Sequence, residues 1–316
     1  MNVGDILAAA DRIRPHVHRT PVVTCSMIDR IAGCSIVFKC ENLQKVGAFK
    51  ARGATNAVLL LDHVAAARGV ATHSSGNHAA ALARAASLRG IPSFIVMPRT
   101  APAPKRAAVE AYGARITPCE PTLAARESTL AEVVARTGAT FVHPYDDERV
   151  IAGQGTAALE LLAQSSGLDV VVAPVGGGGL LSGTAVATAA VDPAVEVLGA
   201  EPAGADDAFR SLRDGVLTPS VAPCTVADGL LTSLSERTFG LIKAHSAGIL
   251  TASEETIVRA MRLIWERAKL VVEPSAAVPL AVVLDHPDRF ARRRVGLILS
   301  GGNIDLDRLP WTAQAS

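Results

Sequence analysis

Short runs of aliphatic and β-branched residues recur along this chain, and helical stretches stand between them. Ile36-Val37-Phe38, Gly69-Val70-Ala71-Thr72, Phe94-Ile95-Val96-Met97-Pro98, Arg115-Ile116-Thr117 and Phe141-Val142-His143 have strand length, as do the runs from Val170 to Val175 and from Val295 to Leu299. A short run that is apolar on both faces needs cover on both sides, which is how strands of a parallel sheet are buried. Lys50 to Leu61, Ala79 to Leu88, Pro104 to Tyr112 and Leu123 to Arg136 read as helices, with Gly113 as a C-terminal stop. Alternation of this kind predicts an α/β chain with doubly wound parallel sheets. Four strand–helix units fall within 69–145, which predicts a small domain with its own sheet. The remainder, 1–68 plus 146–316, then forms a larger domain.

The loops that follow the strand-like runs carry the chemistry. Gly176, Gly177, Gly178 and Gly179 follow the strand ending near Val175 and open a helix. Four glycines remove every Cβ, so backbone N–H groups can converge on an anion at a helix N-terminus. The spacing lacks the third glycine of a dinucleotide loop and the Gly-Lys-Ser/Thr of a nucleotide triphosphate loop, so a monophosphate fits best. Ser74-Ser75-Gly76-Asn77-His78 also joins a strand to a helix and gathers hydroxyls, an amide and backbone donors suited to a carboxylate. Ser300-Gly301-Gly302-Asn303 ends the strand from Val295, at the sheet edge where α/β folds place ligands.

Lys50 lies in Gly47-Ala48-Phe49-Lys50-Ala51-Arg52-Gly53, at the end of a glycine-containing turn and the start of a helix. A lysine amine becomes a useful nucleophile when it is desolvated or captured by an aldehyde cofactor, and Phe49 is placed to pack on a flat ring. Glu201, Asp206 and Asp207 put three carboxylates within seven residues. Such a cluster suits either a hard divalent cation or the solvated start of a helix.

Together, in this order, the segments around Lys50, Ser74 to His78 and Gly176 to Gly179 resemble the serine/threonine dehydratase group of fold-type II pyridoxal-phosphate enzymes, which includes the eukaryotic-type serine racemases. The likeness runs from His18-Arg19-Thr20-Pro21 to Ser300-Gly301-Gly302-Asn303-Ile304-Asp305. It implies two doubly wound parallel-sheet domains with pyridoxal 5'-phosphate between them. It implies that Lys50 carries the cofactor and moves protons on one face, that Phe49 packs on the ring, and that Asn77 bonds its phenolic oxygen. Gly176 to Gly179 would hold the phosphate and Ser300 the pyridine nitrogen. Ser74, Ser75, Gly76 and His78 would line the carboxylate site, with Ser75 as the acid/base on the opposite face. Arg126 falls where a racemase arginine lies and would touch substrate. Glu201, Asp207 and the carbonyl of Ala205 match a cation site of metal-activated members, implying Mg2+ or Ca2+.

The activity so implied is β-elimination of water from L-threonine or L-serine, giving a 2-oxo acid and ammonia. Serine racemisation is one alternative. Dehydration of 3-hydroxyaspartate, a hydroxyectoine-derived intermediate or another specialised hydroxy amino acid is a second. A non-catalytic amino-acid-binding pseudoenzyme is a distant third, disfavoured by the intact Lys50. After His143-Pro144 the chain reads Tyr145-Asp146-Asp147, nearer the Pro-Phe-Asp-Asp of many threonine dehydratases than the Asn-Gln of racemases. A homodimer acting on a small amino acid is expected.

Composition narrows the other classes. The 316 residues are 49% hydrophobic and carry 31 basic and 30 acidic side chains, for a net charge of +1. The balance gives no electrostatic basis for a nucleic-acid or membrane partner. Five cysteines, none in a CxxC pair, predict buried reduced thiols rather than disulfides or zinc. The start, Met1-Asn2-Val3-Gly4-Asp5-Ile6, has no secretory signature, so a cytoplasmic protein is expected. About ten residues follow Asp305, which leaves no room for a feedback-binding domain and predicts an unregulated or metal-tuned form.

Overall fold

A computed structural model describes residues 1–74, 76–101 and 103–312. In chain order its strands are β1 (Val22–Val23), β2 (Ser35–Cys40), β3 (Val70–His73), β4 (Ser93–Pro98), β5 (Arg115–Cys119), β6 (Thr140–Phe141), β7 (Val170–Pro174), β8 (Glu196–Pro202), β9 (Gly248–Ala252) and β10 (Arg294–Leu299). The helices are α1 (Val3–Ile13), α2 (Ser26–Ala32), α3 (Lys50–Leu59), α4 (His63–Arg68), α5 (Asn77–Arg89), α6 (Ala103–Ala111), α7 (Leu123–Thr137), α8 (Glu148–Gln164), α9 (Gly179–Val191), α10 (Asp207–Asp214), α11 (Glu236–His245), α12 (Glu254–Leu263), α13 (Pro274–Asp285) and α14 (Pro287–Phe290).

The strands form two sheets. One runs β1-β2-β10-β7-β8-β9 and the other β5-β4-β3-β6. Every pairing is parallel except β1 against β2. All residues of β4 and β7 are buried, because helices cover both faces of each sheet. We propose that 69–145 around the second sheet is a small domain and that 1–68 plus 146–316 is the large one.

The order of the larger sheet brings the loops together. β10 lies between β2 and β7. The segments leaving the carboxyl ends of β2, β10 and β7 are the Lys50 turn, Ser300–Asn303 and the glycine loop, and parallel neighbours place these ends side by side. Helix α5 is alanine-rich, and Ala79, Ala81, Leu82, Ala83, Ala85 and Ala86 are buried. Small side chains let α5 approach α3 closely, while the fully buried Leu82 contributes roughly 2 kcal/mol of apolar transfer.

Among the described residues no helix is long and apolar enough to cross a membrane. All five cysteines are free thiols, with Cys34, Cys40 and Cys119 buried and Cys224 exposed.

Candidate active site

Lys50 is the first residue of α3, and its Nζ donates to the Pro144 carbonyl at 2.7 Å. The amine is desolvated, which lowers its pKa from the usual lysine value to about 8. Its ammonium also lies 5.0 Å from the centroid of the Phe49 ring. Two residues on, Arg52 is fully buried and anchors the same helix. It donates to Glu41 through Nε at 2.7 Å and to Glu160 through Nη1 at 2.8 Å, and Lys39 reaches Glu160 at 2.6 Å. Buried pairs of this kind add little net stability when intact, but removing one partner strands a charge at a cost of about 3–5 kcal/mol. They fix the start of α3, and with it Lys50.

The Lys50 turn is laced to the end of β10. Phe49 N–H donates to the Ser300 carbonyl at 3.0 Å, and Gly302 N–H donates to the Gly47 carbonyl at 2.9 Å. Asn303 Nδ2 donates to the Val46 carbonyl and, at 2.8 Å, to Asn77 Oδ1. Asn77 in turn donates through Nδ2 to Glu273 Oε1 at 2.9 Å. Asn77 is thus held by two side chains, with one N–H still to offer. Glu273 is buried, and that burial, ahead of the nearby Asp228 charge, pushes its carboxyl up to about 7.

The glycine loop links β7 to α9. Gly178 adopts φ +83°, the left-handed region that favours glycine. A Cβ on Gly177 would fall 2.2 Å from Cδ1 of Tyr145, so only glycine allows the Tyr145 ring to lie on the loop. Leu180 and Leu181 are buried behind the loop and fix the first turn of α9.

Around the small sheet, Ser74 N–H donates to the Val96 carbonyl, and Ser74 Oγ accepts from Gly76 N–H at 3.3 Å. Ser75 lies outside the described residues. His78 is buried, its Nε2 donating to the Val142 carbonyl at 3.1 Å. Burial, ahead of the neighbouring Lys50 charge, lowers its pKa to about 3, so it is a neutral tie between α5 and the segment after β6. Arg126 lies in the first turn of α7; at His73 burial lowers the pKa most, the Glu127 charge opposes it, and the Arg126 charge adds a smaller lowering. Its Nε is buried without a hydrogen-bond partner among the described residues.

Glu201 is the penultimate residue of β8 and Asp207 opens α10, with Ala205 in the intervening turn. Glu201 accepts from the N–H groups of Ala208 and Phe209 at 3.0 and 2.7 Å. Asp207 is 1% exposed, and neither of its carboxylate oxygens has a hydrogen-bond partner among the described residues; Ser220 lies near without completing one. Burial pushes Glu201 up to about 8 and Asp207 up to about 6. No group of three or more His, Cys, Asp or Glu side chains converges as metal ligands among the described residues. The set here is two carboxylates and a backbone carbonyl, and the orphaned Asp207 carboxylate is what a divalent cation would satisfy.

Sequence reasoning passed over Glu273, the Pro144 carbonyl and the Arg52 ion network. The only local signal for Glu273 was an acid directly before Pro274 at a helix start; its partner Asn77 is 196 positions away.

Comparison with known proteins decides the family. The family described as pyridoxal-phosphate dependent enzyme matches residues 13–301. The chain belongs to this family. Within it, the chain falls in the serine/threonine dehydratase group of fold-type II enzymes. It is 56% identical over 307 residues to the beta-hydroxyaspartate dehydratase of Paracoccus denitrificans, covering 97% of this chain and 98% of that protein. The serine racemase of Dictyostelium discoideum superposes with a TM-score of 0.93 at 46% identity, covering 97% of this chain and 99% of that one. The threonine deaminase of T.th. superposes with a TM-score of 0.93 and 46% identity, with coverage of 97% and 99%. Pyridoxal phosphate is therefore the cofactor that this pyridoxal-phosphate enzyme takes. A desolvated lysine, a Cβ-free loop at a helix N-terminus and a braced Asn77 suit its aldehyde, phosphate and ring oxygen.

Proposed function

We propose that the chain eliminates water from a β-hydroxy-α-amino acid, with 3-hydroxyaspartate preferred over serine and threonine. The observation that carries the substrate class is Arg126. A second carboxylate needs a second cation, and Arg126 beside His73 keeps a buried Nε–H with no partner among the described residues. The 56% identity to a beta-hydroxyaspartate dehydratase supports the same choice.

Bound pyridoxal phosphate supplies an aldehyde that captures the substrate amine and a conjugated ring that accepts electrons from the breaking Cα–H bond. The backbone N–H groups of Gly176 to Gly179 bind the phosphate. Asn77 would offer its remaining N–H to the ring oxygen, and the neutral Ser300 hydroxyl would meet the pyridine nitrogen. Ser74 and Gly76 bind the α-carboxylate, and Arg126 the distal one. His78, tied to Val142, shapes that pocket rather than touching substrate. Lys50 removes the α-proton as a neutral amine, which its pKa of about 8 makes accessible near neutral pH. The electron pair left on Cα forms the Cα–Cβ double bond as the β-hydroxyl leaves as water, taking the proton that Lys50 drew from Cα. The released enamine takes up water to give a 2-oxo acid and ammonia. Ser75 on the other face would permit some racemisation. Glu201, Asp207 and the Ala205 carbonyl would hold a Mg2+ or Ca2+ that braces the start of α10.

The test is a panel of 3-hydroxyaspartate, serine and threonine, scored together for 2-oxo acid, ammonia and D-enantiomer. Arg126→Gln should lower kcat/KM for 3-hydroxyaspartate by roughly 10- to 100-fold, the worth of a charge-assisted hydrogen bond, and leave serine turnover within about twofold. A wild-type enzyme with no preference for the dicarboxylate, or an Arg126→Gln enzyme equally impaired on serine, would defeat the assignment.

A further inference from the structure

Lys50 Nζ has one hydrogen-bond acceptor among the described residues, the Pro144 carbonyl at 2.7 Å. That carbonyl belongs to no strand or helix: β6 ends at Phe141 and α8 begins at Glu148. Ladder hydrogen bonds therefore do not orient it, and a side chain does. His143 Nδ1 accepts from the backbone N–H of Tyr145 at 3.3 Å and of Asp146 at 2.8 Å. A ring nitrogen that accepts two N–H groups cannot carry a proton, so the neutral ring must be protonated on Nε2.

The surrounding contacts hold this turn rigid. The His143 ring meets Tyr145 edge-on at 4.5 Å between centroids and Phe141 at 5.4 Å. The Tyr145 ring rests on the glycine loop at Gly177. Arg237 Nη1 donates to both the Asp146 carbonyl, at 3.0 Å, and its carboxylate, at 2.7 Å. The peptide between Pro144 and Tyr145 is thus pinned on its N–H side by the imidazole, and its oxygen faces the lysine.

We propose that His143 is a positioning residue for Lys50, its Nδ1 folding the 143–146 turn so that the Pro144 carbonyl aims the lysine amine. The inference rests on Lys50 being the proton-moving group. The carbonyl accepts one N–H of the neutral amine and leaves the amine lone pair free to turn toward substrate. Once Lys50 holds the α-proton, the same carbonyl stabilises the ammonium. Geometry of this kind acts on kcat, because misplacing a reacting atom by about 1 Å can cost on the order of 100-fold.

The test compares His143→Asn, whose amide oxygen can replace Nδ1 as acceptor, with His143→Phe, which keeps ring packing and has no acceptor. The Phe variant should load cofactor, keep KM within about threefold and lose roughly 10- to 100-fold in kcat; the Asn variant should recover most of that loss. Equal activity of the Phe variant and wild type, or equal impairment of both variants, would overturn the proposal. The wild-type holoenzyme offers a check that does not depend on either variant folding. Nitrogen-15 NMR of labelled histidine should show, beside the neutral Nε2–H ring of His78, a second neutral Nε2–H ring at neutral pH whose signal is absent from His143→Asn. A charged or Nδ1–H ring at that position would equally overturn it. If instead the wild type turns over no hydroxy amino acid, the proposed function fails while the turn geometry still stands on the tautomer.

Discussion

Asp207→Asn isolates the energetic consequence of burying Glu201 and Asp207 together. Burial raises the Asp207 carboxyl from 3.8 to about 6. An acid whose folded pKa is raised binds more protons folded than unfolded, so its stabilising contribution is complete below about pH 4 and disappears as pH rises through about 6. The difference of about two pH units corresponds to ~3 kcal/mol lost by about pH 8. Glu201, raised to about 8, extends the decline further up the scale. A divalent cation on the ionised pair reverses the sign, because it binds the charged form. In chelator near pH 8, Asp207→Asn should therefore melt higher than wild type. At roughly 2 cal/mol/K of unfolding entropy per residue, ~3 kcal/mol over a chain of 316 residues is a shift of ~4–5 °C. Near pH 4, where the folded carboxyl is protonated and the unfolded one only about half ionised, the two should melt within about 1 °C of each other. Adding Mg2+ or Ca2+ near pH 8 should raise the wild type and leave the variant unmoved, narrowing or inverting the order. Differential scanning calorimetry of the holoenzyme reads all these conditions. A chelated wild type as stable near pH 8 as near pH 5 would refute the buried-charge argument. A variant that gains as much from metal as wild type would move the cation elsewhere.

Three further outcomes follow from the site. Lys50→Ala should fold but lose the violet absorbance of lysine-bound cofactor and at least ~1000-fold in turnover; undiminished 2-oxo acid production would remove Lys50 from the chemistry. Ser75→Ala should suppress racemisation at least ~10-fold more than elimination, measured as D-enantiomer against 2-oxo acid, and equal losses would make Ser75 a carboxylate anchor only. Glu273 is held near 7 by burial, so its proton is bound below about pH 7, and the stability this supplies is lost as pH rises through that value. Glu273→Gln should flatten the melting-temperature profile between about pH 4.5 and 7, and an unchanged profile would assign that slope to another group.

Much of the architecture was legible because its signals are local. Phe94–Pro98 is a strand as expected, and the Lys50 and Leu123 helices begin at the predicted residues. Of Phe141-Val142-His143 only Phe141 is strand; beyond it the His143 imidazole accepts its neighbours' N–H groups and turns the chain. The acids from Glu201 to Asp207 suited the start of a helix, yet β8 continues through Glu201 and only Asp207 opens a helix; the Ala208 and Phe209 N–H groups hold the Glu201 carboxylate near the strand end.

The amino-acid sequence by itself determined the element types, the parallel sheets and the loops that carry chemistry. Apolar periodicity records which faces must be buried, and glycines record where a backbone must come close. Tertiary structure alone decided which polar groups meet inside. Lys50 finds the Pro144 carbonyl 94 residues away, Asn77 finds Glu273 across 196, and the Asp207 carboxylate finds no hydrogen-bond partner among the described residues. Those pairings set desolvation and charge, and desolvation and charge set whether a lysine is a base or a carboxylate awaits a cation. No local pattern encodes them, because each depends on what a distant segment removes from water.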